Sequence, residues 1–258
     1  MAMKFADKVA IVTGSTQGIG FAIAKRLCED GANVVISSRK QVNVENALKR
    51  LSGFGLGQHA HGVTCHVGNK QDRTKLVDST LEKFGKIDIL VNNAGINPVF
   101  GDLLDVDQSA WDKLFAVNVT AGFELSKLCV PHIQSSGGGS IIFVSSIGGY
   151  VPLPAISAYG VTKTALLGLT KALSLSCAPS KIRVNCIAPG IIKTDFSRAL
   201  WETADSNPSS NTAMSLIPLG RFGTASDCAG AVAFLCSEDA AYITGETIVI
   251  GGGMGARL

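Results

Sequence analysis

Short apolar segments rich in β-branched residues alternate with amphipathic segments along this chain, and no other feature constrains its fold as strongly. The apolar segments are almost continuously hydrophobic, which is typical of strands that are covered on both faces. Seven such strands are predicted, beginning at Val9, Asn33, His61, Ile87, Ser140, Ile182 and Thr247. Helical patterns such as FAIAKRLCED and TKLVDSTLEKF lie between them. The alternation predicts an α/β fold, a single doubly wound Rossmann-type domain with a parallel sheet of about seven strands and helices on both faces.

Size and charge narrow the range of partners. The 258 residues, 46% hydrophobic and 17% charged, are expected to form one domain spanning 1–258. A net charge of +3 is too small to predict binding to nucleic acid or to an anionic membrane surface. The apolar run before Gly14 is too short for a signal-peptide core or a membrane span. We therefore expect a protein that is made and folded in the cytosol and has no membrane span.

The cysteine and histidine residues do not predict a disulfide framework or a metal site. The seven cysteines are an odd number without a CxxC pair, which favours reduced, buried thiols. His59, His61, Cys65 and His66 are close together, but their spacing fits no zinc-finger pattern. Part of this group lies on a predicted strand, where alternate residues face opposite ways. We expect no bound metal.

A glycine-rich turn joins the first predicted strand to the helix that follows it. Glycines at such a turn let the backbone approach a pyrophosphate, which the free N–H groups and the dipole of the helix N-terminus attract. A tight structural turn is the alternative, but the position between a strand and a helix favours a dinucleotide site. The residues predicted to bind the cofactor here are Gly14, Ser15, Thr16, Gln17, Gly18, Ile19 and Gly20.

The end of the second predicted strand bears on the choice of cofactor. An Asp or Glu at this place usually holds free ribose hydroxyls, whereas a 2′-phosphate needs a cation. Here the sequence has Ser38, Arg39 and Lys40, and the planar guanidinium of Arg39 suits a phosphate. A solvated basic pair after a strand is the alternative. The pattern predicts NADP(H) in preference to NAD(H).

Tyr159 and Lys163 lie four residues apart in a predicted helix. This spacing places both side chains on one helix face, about 6 Å apart along the axis, where the ammonium can act on the phenol. Taken alone, the pair favours a core tyrosine beside a lysine that reaches towards solvent, because such pairs arise by chance in many helices.

Six ordered motifs decide between these interpretations. The motifs are TGxxxGxG from Thr13, NNAG from Asn92, Asn118 in VNVT, VSS from Val144, YxxxK from Tyr159, and PG at Pro189 with Thr194 after it. With them the chain resembles the short-chain dehydrogenase/reductase family over essentially its full length. Within the family, SSRK, KTALLGLTKAL, CSEDAAYITGETIVIGGG and the terminal ARL are most similar to peroxisomal NADPH-dependent carbonyl and retinal reductases.

The resemblance implies a catalytic set of Asn118, Ser146, Tyr159 and Lys163. Tyr159 would protonate the alkoxide left by hydride transfer, and Lys163 would stabilise the phenolate and bind the nicotinamide ribose. Ser146 would hydrogen-bond the substrate oxygen and orient it. Asn118 would anchor a water that relays protons to Lys163.

The resemblance also implies further cofactor contacts. The nicotinamide would lie against the loop of Pro189, Gly190, Ile192 and Thr194, although a plain strand-ending turn is the alternative at Pro189. Where the family commonly holds the adenine with an aspartate, this chain has His66 before Val67. That histidine can stack, donate a hydrogen bond or point away. Asn92, Ala94 and Gly95 complete the predicted cofactor site.

The segment 196–226 interrupts the apolar rhythm with polar and turn-forming residues. We predict a substrate lid there, with an inert surface excursion as the alternative. Ser146, Leu153, Ile156, Tyr159 and Trp201 are expected to line the substrate pocket.

These features together predict an NADPH-dependent reductase of ketones, aldehydes and dicarbonyls, with retinal and aromatic ketones as substrates implied by the resemblance. The alternatives are an NADP-linked alcohol, retinol or steroid dehydrogenase working in the oxidative direction, and a dinucleotide-sensing protein without turnover. The resemblance implies a homotetramer with two-fold interfaces at the helix of Tyr159 and at the last strand. The C-terminal Ala256, Arg257 and Leu258 resemble a signal for the peroxisomal import receptor. If this tripeptide is a chance tail, the protein is expected in the cytoplasm.

Overall fold

Seven strands form one parallel sheet in the computed structural model, which describes residues 3–198, 201–202 and 212–255. The strands are β1 (Val9–Val12), β2 (Asn33–Ser38), β3 (Ala60–Thr64), β4 (Ile89–Asn92), β5 (Gly139–Val144), β6 (Ile182–Pro189) and β7 (Thr247–Ile250). Their order in the sheet is β3-β2-β1-β4-β5-β6-β7. The order reverses between β1 and β4, and at such a switch point the connections leave to opposite faces and open a crevice at the carboxyl ends of the strands. The predicted Rossmann-type fold is confirmed.

Helices connect successive strands, as the amphipathic segments predict. The helices described are α1 (Gly18–Glu29), α2 (Gln41–Gly53), α3 (Lys70–Phe84), α4 (Gln108–Phe115), α5 (Ala121–Ser135), α6 (Ser157–Cys177), α7 (Thr212–Ser215) and α8 (Ala225–Cys236). A π-helical turn, Ala116–Thr120, joins α4 to α5.

Two apolar cores lie on opposite faces of the sheet. One contains Ala10 and Val12 of β1 together with buried residues of α1, α2 and α8. The other contains Ile11 of β1 with residues of α3, α5 and α6. Successive residues of a strand point to opposite faces, so a strand buried on both sides must be apolar at every position. This requirement explains the continuous hydrophobicity of the central strands.

The two edge strands differ from this pattern. All four residues of β7 are only half-buried, and in β3 only Val63 is buried. The expectation that every strand is covered on both faces is therefore wrong for the edges, where helix cover ends and one side of the strand has no neighbour.

Among the described residues, no helix is both long and apolar enough to cross a membrane. All seven cysteines are buried and unbridged, and burial raises the pKa of the Cys129 thiol to about 12. Within the described part of the chain, no three His, Cys, Asp or Glu residues are arranged to hold a metal ion.

Candidate active site

A cavity of about 370 Å³ opens at the carboxyl ends of the strands, where the strand order reverses. It runs from the ends of β2 and β3, past the glycine-rich turn, to the start of α6 and the loop after β6. Most predicted site residues line it, namely Gly14, Thr16, Gln17, Gly18, Ile19, Gly20, Ser38, Arg39, His66, Val67, Ala94, Gly95, Ser146, Leu153, Ile156, Tyr159, Lys163, Pro189, Gly190, Ile192 and Thr194. The topology therefore gathers residues from nearly the whole length of the chain.

Three of the predicted cofactor residues lie outside this lining. Ser15 is buried, and its hydroxyl donates to the Val12 carbonyl at 2.5 Å, which holds the turn against β1. Lys40 precedes the first turn of α2 and is exposed. Asn92 is buried, and its amide donates to the Ser126 hydroxyl at 3.2 Å on α5. In the structure, Ser15 and Asn92 support the walls of the cavity.

Trp201 also lies outside the cavity lining. Its indole N–H donates to the Thr194 carbonyl at 3.0 Å, and its ring packs with Ile217 and Phe222 in a small separate cluster. Of the predicted lid, residues 199–200 and 203–211 lie outside the described part of the chain, as do Ala256, Arg257 and Leu258.

The glycine-rich turn has the shape that a pyrophosphate requires. Gly14 and Gly18 have positive φ angles of 59° and 56°, which L side chains rarely adopt. A Cβ on Gly20 would lie 2.4 Å from Nδ2 of Asn93 and 2.5 Å from the Gly14 carbonyl oxygen, so only glycine fits. Gln17 precedes α1 without a side-chain cap, and the first turn of α1 has no acidic residue. The N–H groups of that turn can therefore bind an anion, and the residues present fit a dinucleotide.

The charge at the end of β2 is positive. Arg39 is exposed and lines the cavity there. Among the described residues, the only carboxylate in the cavity wall is that of Asp195, after β6. A phosphate on the ribose would therefore meet a guanidinium without a competing acid.

Ser146, Tyr159 and Lys163 meet at the inner end of the cavity. Tyr159 and Lys163 are only 8% and 3% exposed. The Lys163 ammonium lies 5.3 Å from the centre of the Tyr159 ring and donates to the Val144 carbonyl at 2.8 Å. A side-chain hydrogen bond joins Tyr159 to Ser146. The structure thus brings together the phenol, the hydroxyl and the ammonium that the motifs predict.

Burial shifts the pKa values of this pair in opposite directions. Desolvation raises the pKa of the Tyr159 phenol above its ordinary value, although the hydrogen bond with Ser146 partly offsets it. Desolvation lowers the pKa of Lys163 to about 8. The sequence argument expects Lys163 to stabilise the Tyr159 phenolate, whereas in the structure burial is the larger effect on the phenol. Tyr159 is therefore protonated at neutral pH and can give a proton.

Asn118 lies beside the cavity in the π-helical turn between α4 and α5. Its side-chain oxygen accepts from the Ile96 N–H at 2.8 Å, and its amide donates to the Ile96 carbonyl and to the Thr162 hydroxyl, both at 3.0 Å. These bonds tie the loop after β4 to α6. The side chain is engaged with protein groups, so an anchored water would have to contact another part of this residue.

Close packing through glycine seats α6 against the segment after β5. A Cβ on Gly149 would lie 2.9 Å from the Lys163 carbonyl carbon and 3.0 Å from the Thr164 nitrogen. The Thr164 hydroxyl donates to the Gly149 carbonyl at 2.7 Å. This contact sets the distance between Ser146, which precedes the segment, and the two functional residues of α6.

Several residues that line the cavity are not predicted from the sequence. The ring of Phe196 lies 5.9 Å from that of Tyr159, and Phe100, Asn97, Asn43 and Lys113 also line the cavity. Phe196 is the first residue of the predicted lid, and its place there could have indicated a contact with the substrate pocket. The others come from loops and helix faces with no local pattern that distinguishes them from surface residues. Phe100 and Phe196 together with Leu153 and Ile156 contribute apolar side chains to the cavity lining.

A doubly wound sheet with a glycine cradle at its switch point and a Ser–Tyr–Lys cluster beside it defines an oxidoreductase of the dinucleotide-binding class. The family model described as enoyl-(acyl carrier protein) reductase matches residues 14–255. Dehydrogenase/reductase SDR family member 4 of Caenorhabditis elegans is 54% identical over 99% of this chain and 98% of its own length. The Homo sapiens protein of that name is 53% identical over 98% of this chain and 89% of its own.

Solved structures agree with these relationships. A 3-ketoacyl-(acyl-carrier-protein) reductase from Brucella melitensis, crystallised with NADH, matches with a TM-score of 0.87 and 33% identity over 97% of this chain and 99% of that chain. The chain belongs to the short-chain dehydrogenase/reductase family, and its curated relatives include dehydrogenase/reductase SDR family member 4 from several animals.

Proposed function

We propose that this protein is an NADPH-dependent reductase of ketones, aldehydes and dicarbonyls. The observation that carries the proposal is the meeting of Ser146, Tyr159 and Lys163 at the inner end of a cavity whose outer part is a glycine cradle. The family, and the NADH in the Brucella melitensis structure, support a nicotinamide dinucleotide as cofactor. The nicotinamide would supply the hydride, and the residues of this chain would supply the proton and the geometry.

The chain's own residues provide the proton step. The Tyr159 hydroxyl would give its proton to the substrate oxygen as that oxygen gains charge. Ser146 would donate a hydrogen bond to the same oxygen and hold it beside Tyr159. The Lys163 ammonium, fixed by the Val144 carbonyl, would stabilise the phenolate that remains. The loop of Pro189, Gly190 and Thr194 would hold the nicotinamide ring.

The protonated form of Tyr159 suits the reductive direction, although the direction in a cell depends as much on the ratio of NADPH to NADP. Burial raises the pKa of this phenol, so the protonated form that reduction needs is the resting form. An alcohol oxidation would need the phenolate, which burial disfavours.

Apolar groups in the cavity lining support apolar carbonyl substrates. Phe196 lies beside Tyr159, and Phe100, Leu153 and Ile156 also line the cavity. Aromatic ketones and retinal would bury their apolar surface there, which is the main source of affinity in such pockets.

Turnover is tested with purified protein, NADPH, and a panel of α-dicarbonyls, aromatic ketones and retinal, following the absorbance of the reduced nicotinamide. Tyr159→Phe should lower kcat at least about a hundredfold, because the general acid is removed. NADPH binding should persist in this variant. Tyr242→Phe, at a fully exposed position, is the matched control and should keep wild-type turnover. NADPH binding without consumption by any carbonyl would favour the dinucleotide-sensing alternative, and faster oxidation of alcohols with NADP would favour the dehydrogenase.

The preference for NADPH over NADH depends on Arg39. Arg39→Asp should reduce the ratio of NADPH to NADH affinity by about tenfold or more, since a charge-assisted bond to phosphate is replaced by repulsion. Lys40→Asp is the neighbouring control, and a smaller effect is expected because Lys40 does not line the cavity. Equal effects of the two substitutions on the ratio would refute the role of Arg39.

We also propose import into peroxisomes through Ala256, Arg257 and Leu258. The support is the resemblance of this tripeptide to the import signal, of which S-K-L is the type form. A fluorescent reporter carrying the last residues of the chain should collect in peroxisomes, and its Leu258-deleted form should stay in the cytoplasm. A diffuse signal from the intact tail would contradict the proposal.

A further inference from the structure

The side chain of His66 faces the cavity just beyond the end of β3. Its backbone N–H donates to a carboxylate oxygen of Asp72 at 2.8 Å, which fixes the main chain at the start of the turn that leads to α3. The residue is half-buried, and the ring forms part of the cavity wall beside Val67. The position lies next to the end of β2, where Arg39 would meet the ribose of a dinucleotide.

The hydrogen bonds of the ring define which nitrogen carries the proton. The Gly68 N–H donates to Nδ1 of His66 at 3.1 Å. A nitrogen that accepts a hydrogen bond has no proton, so the neutral ring carries its hydrogen on Nε2. Nε2 has no partner among the described residues. His66 therefore offers the cavity a hydrogen-bond donor.

The described side chains that line the cavity with His66 are, apart from one carboxylate after β6, apolar or able to donate hydrogen bonds. Val67 and Val117 are each 8% exposed and provide apolar walls for a flat ring. Arg39 and Lys113 also line the cavity and can only donate, whereas the Asn43 amide, which lines it too, can donate or accept. Within the described chain, no carboxylate lines the cavity here. A base bound beside His66 would therefore meet the Nε2–H donor and no carboxylate of the described cavity wall near it.

We propose that His66 donates its Nε2–H to the purine of the bound dinucleotide, so that a 6-oxopurine is accepted at least as readily as the 6-aminopurine. Adenine carries an amino donor at C6, whereas hypoxanthine carries a carbonyl acceptor at the same atom. A donor in the wall complements the carbonyl and opposes the amino group. The inference rests on the proposed function, because it concerns the dinucleotide of that function.

The test compares NADPH with reduced nicotinamide hypoxanthine dinucleotide phosphate, which differs from it only at C6 of the purine and its ring N1. The dissociation constants of both are measured by titrating the fluorescence of the bound reduced nicotinamide. His66→Gln and His66→Glu form a matched pair, since at about the reach of Nε2 the glutamine amide still offers an N–H donor beside its oxygen, whereas the glutamate carboxylate can only accept. The ratio of the two constants cancels effects of each substitution on overall charge or stability.

The wild-type protein and His66→Gln should bind the hypoxanthine form within about twofold of NADPH or more tightly. His66→Glu should shift the ratio about tenfold towards NADPH, because the carboxylate accepts from the amino group of adenine but meets the carbonyl of hypoxanthine as a second acceptor. A wild-type preference for NADPH of about tenfold, or equal ratios in the Gln and Glu variants, would overturn the inference while leaving the proposed function intact. If neither dinucleotide bound to the wild-type protein, the proposed function and the inference would both be overturned.

Discussion

Two buried side chains, Tyr159 and Lys163, determine how this site responds to pH. The phenol has its pKa raised by burial, so it stays protonated over the whole neutral range. The ammonium has its pKa lowered by burial to about 8, so it loses its charge first as the pH rises. The residue that titrates near neutral pH is thus the lysine.

The pH profile of reduction follows from that difference. We expect kcat/KM for a carbonyl substrate to be level below about pH 8 and to fall above it, because the uncharged lysine no longer stabilises the phenolate. The measurement is kcat/KM with NADPH across this range, with enzyme stability checked at each pH. A profile that rises with pH through this region would show that a deprotonated group limits the rate instead.

The same shift predicts a pH-dependent stability difference. Lys163 has a pKa of about 8 in the folded protein and an ordinary value of 10.5, so the folded state binds fewer protons between these values. The cost of burying its charge is fully present below pH 8 and disappears as the pH rises towards 10.5. Relative to wild type, Lys163→Met should therefore lose stability on going from neutral to high pH, by on the order of 3 kcal/mol.

Urea unfolding of both proteins at neutral and alkaline pH measures this change. The Met variant also loses the hydrogen bond to the Val144 carbonyl, which the ammonium and the neutral amine can both donate. Lys171→Met replaces an exposed lysine of the same helix and serves as the control. A difference between wild type and Lys163→Met that is the same at both pH values would contradict the prediction.

At the scale of elements, the site depends on how α6 is seated. Helix α6 carries Tyr159 and Lys163, and it touches the segment Ile147–Gly149 with almost no space between the two backbones. A second link is the Asn118 amide, which joins the π-helical turn to Thr162 of α6. These contacts fix the position of α6 relative to Ser146 and to the π-helical turn that carries Asn118.

Alanine substitutions at two adjacent glycines test how closely α6 must pack against this segment. A Cβ on Gly149 would press on backbone atoms of Lys163 and Thr164, whereas a Cβ on Gly148 would have its nearest neighbour, the Ser146 hydroxyl, at 3.5 Å. Gly149→Ala should destabilise the protein by about 1–3 kcal/mol and lower kcat by about tenfold or more, because α6 must move away from Ser146. Gly148→Ala should cause a smaller loss of stability and a smaller decrease in kcat.

Thermal unfolding and steady-state kinetics of the two variants give the comparison. Equal losses in both would mean that the close approach of α6 to Gly149 does not set the geometry of the site.

At the scale of the whole molecule, apolar surface is exposed at α6 and near β7. Leu175 of α6 is 79% exposed, and β7 is a half-buried edge strand. Exposed apolar patches and uncovered edges are typical of surfaces that join subunits. Together with the family, these surfaces support the proposal of a homotetramer with two-fold contacts at α6 and β7.

Light scattering tests the assembly. The wild-type protein should have four times the chain mass of 26.8 kDa. Leu175→Glu should give smaller species, since a charge would be buried without a partner at the contact. Val42→Glu changes a 56% exposed residue on α2, away from both surfaces, and should leave the assembly intact. A wild-type mass of one chain would contradict the proposal.

Much of the fold and part of the site follow from local patterns. The seven strands are all found where the apolar runs predict them, and in the central strands the reason is that burial on both faces demands apolar residues at nearly every position. The glycine-rich turn is recognisable because Gly14, Gly18 and Gly20 meet backbone requirements that only glycine satisfies. Tyr159 and Lys163 share a helix face by spacing alone.

The remaining features depend on contacts between distant segments. Neither the place of Phe100 and Lys113 in the cavity wall nor the position of Trp201 outside it has a local signature.

The sequence by itself determined the order of strands and helices, the phosphate-binding turn and the identity of the reacting groups, because these depend on neighbours within a few residues. Only the tertiary structure decided the protonation of Tyr159 and Lys163, the donor that His66 presents and the exposure of β7. The physical reason is that desolvation, hydrogen-bond partners and the end of helix cover arise from groups far apart in the chain.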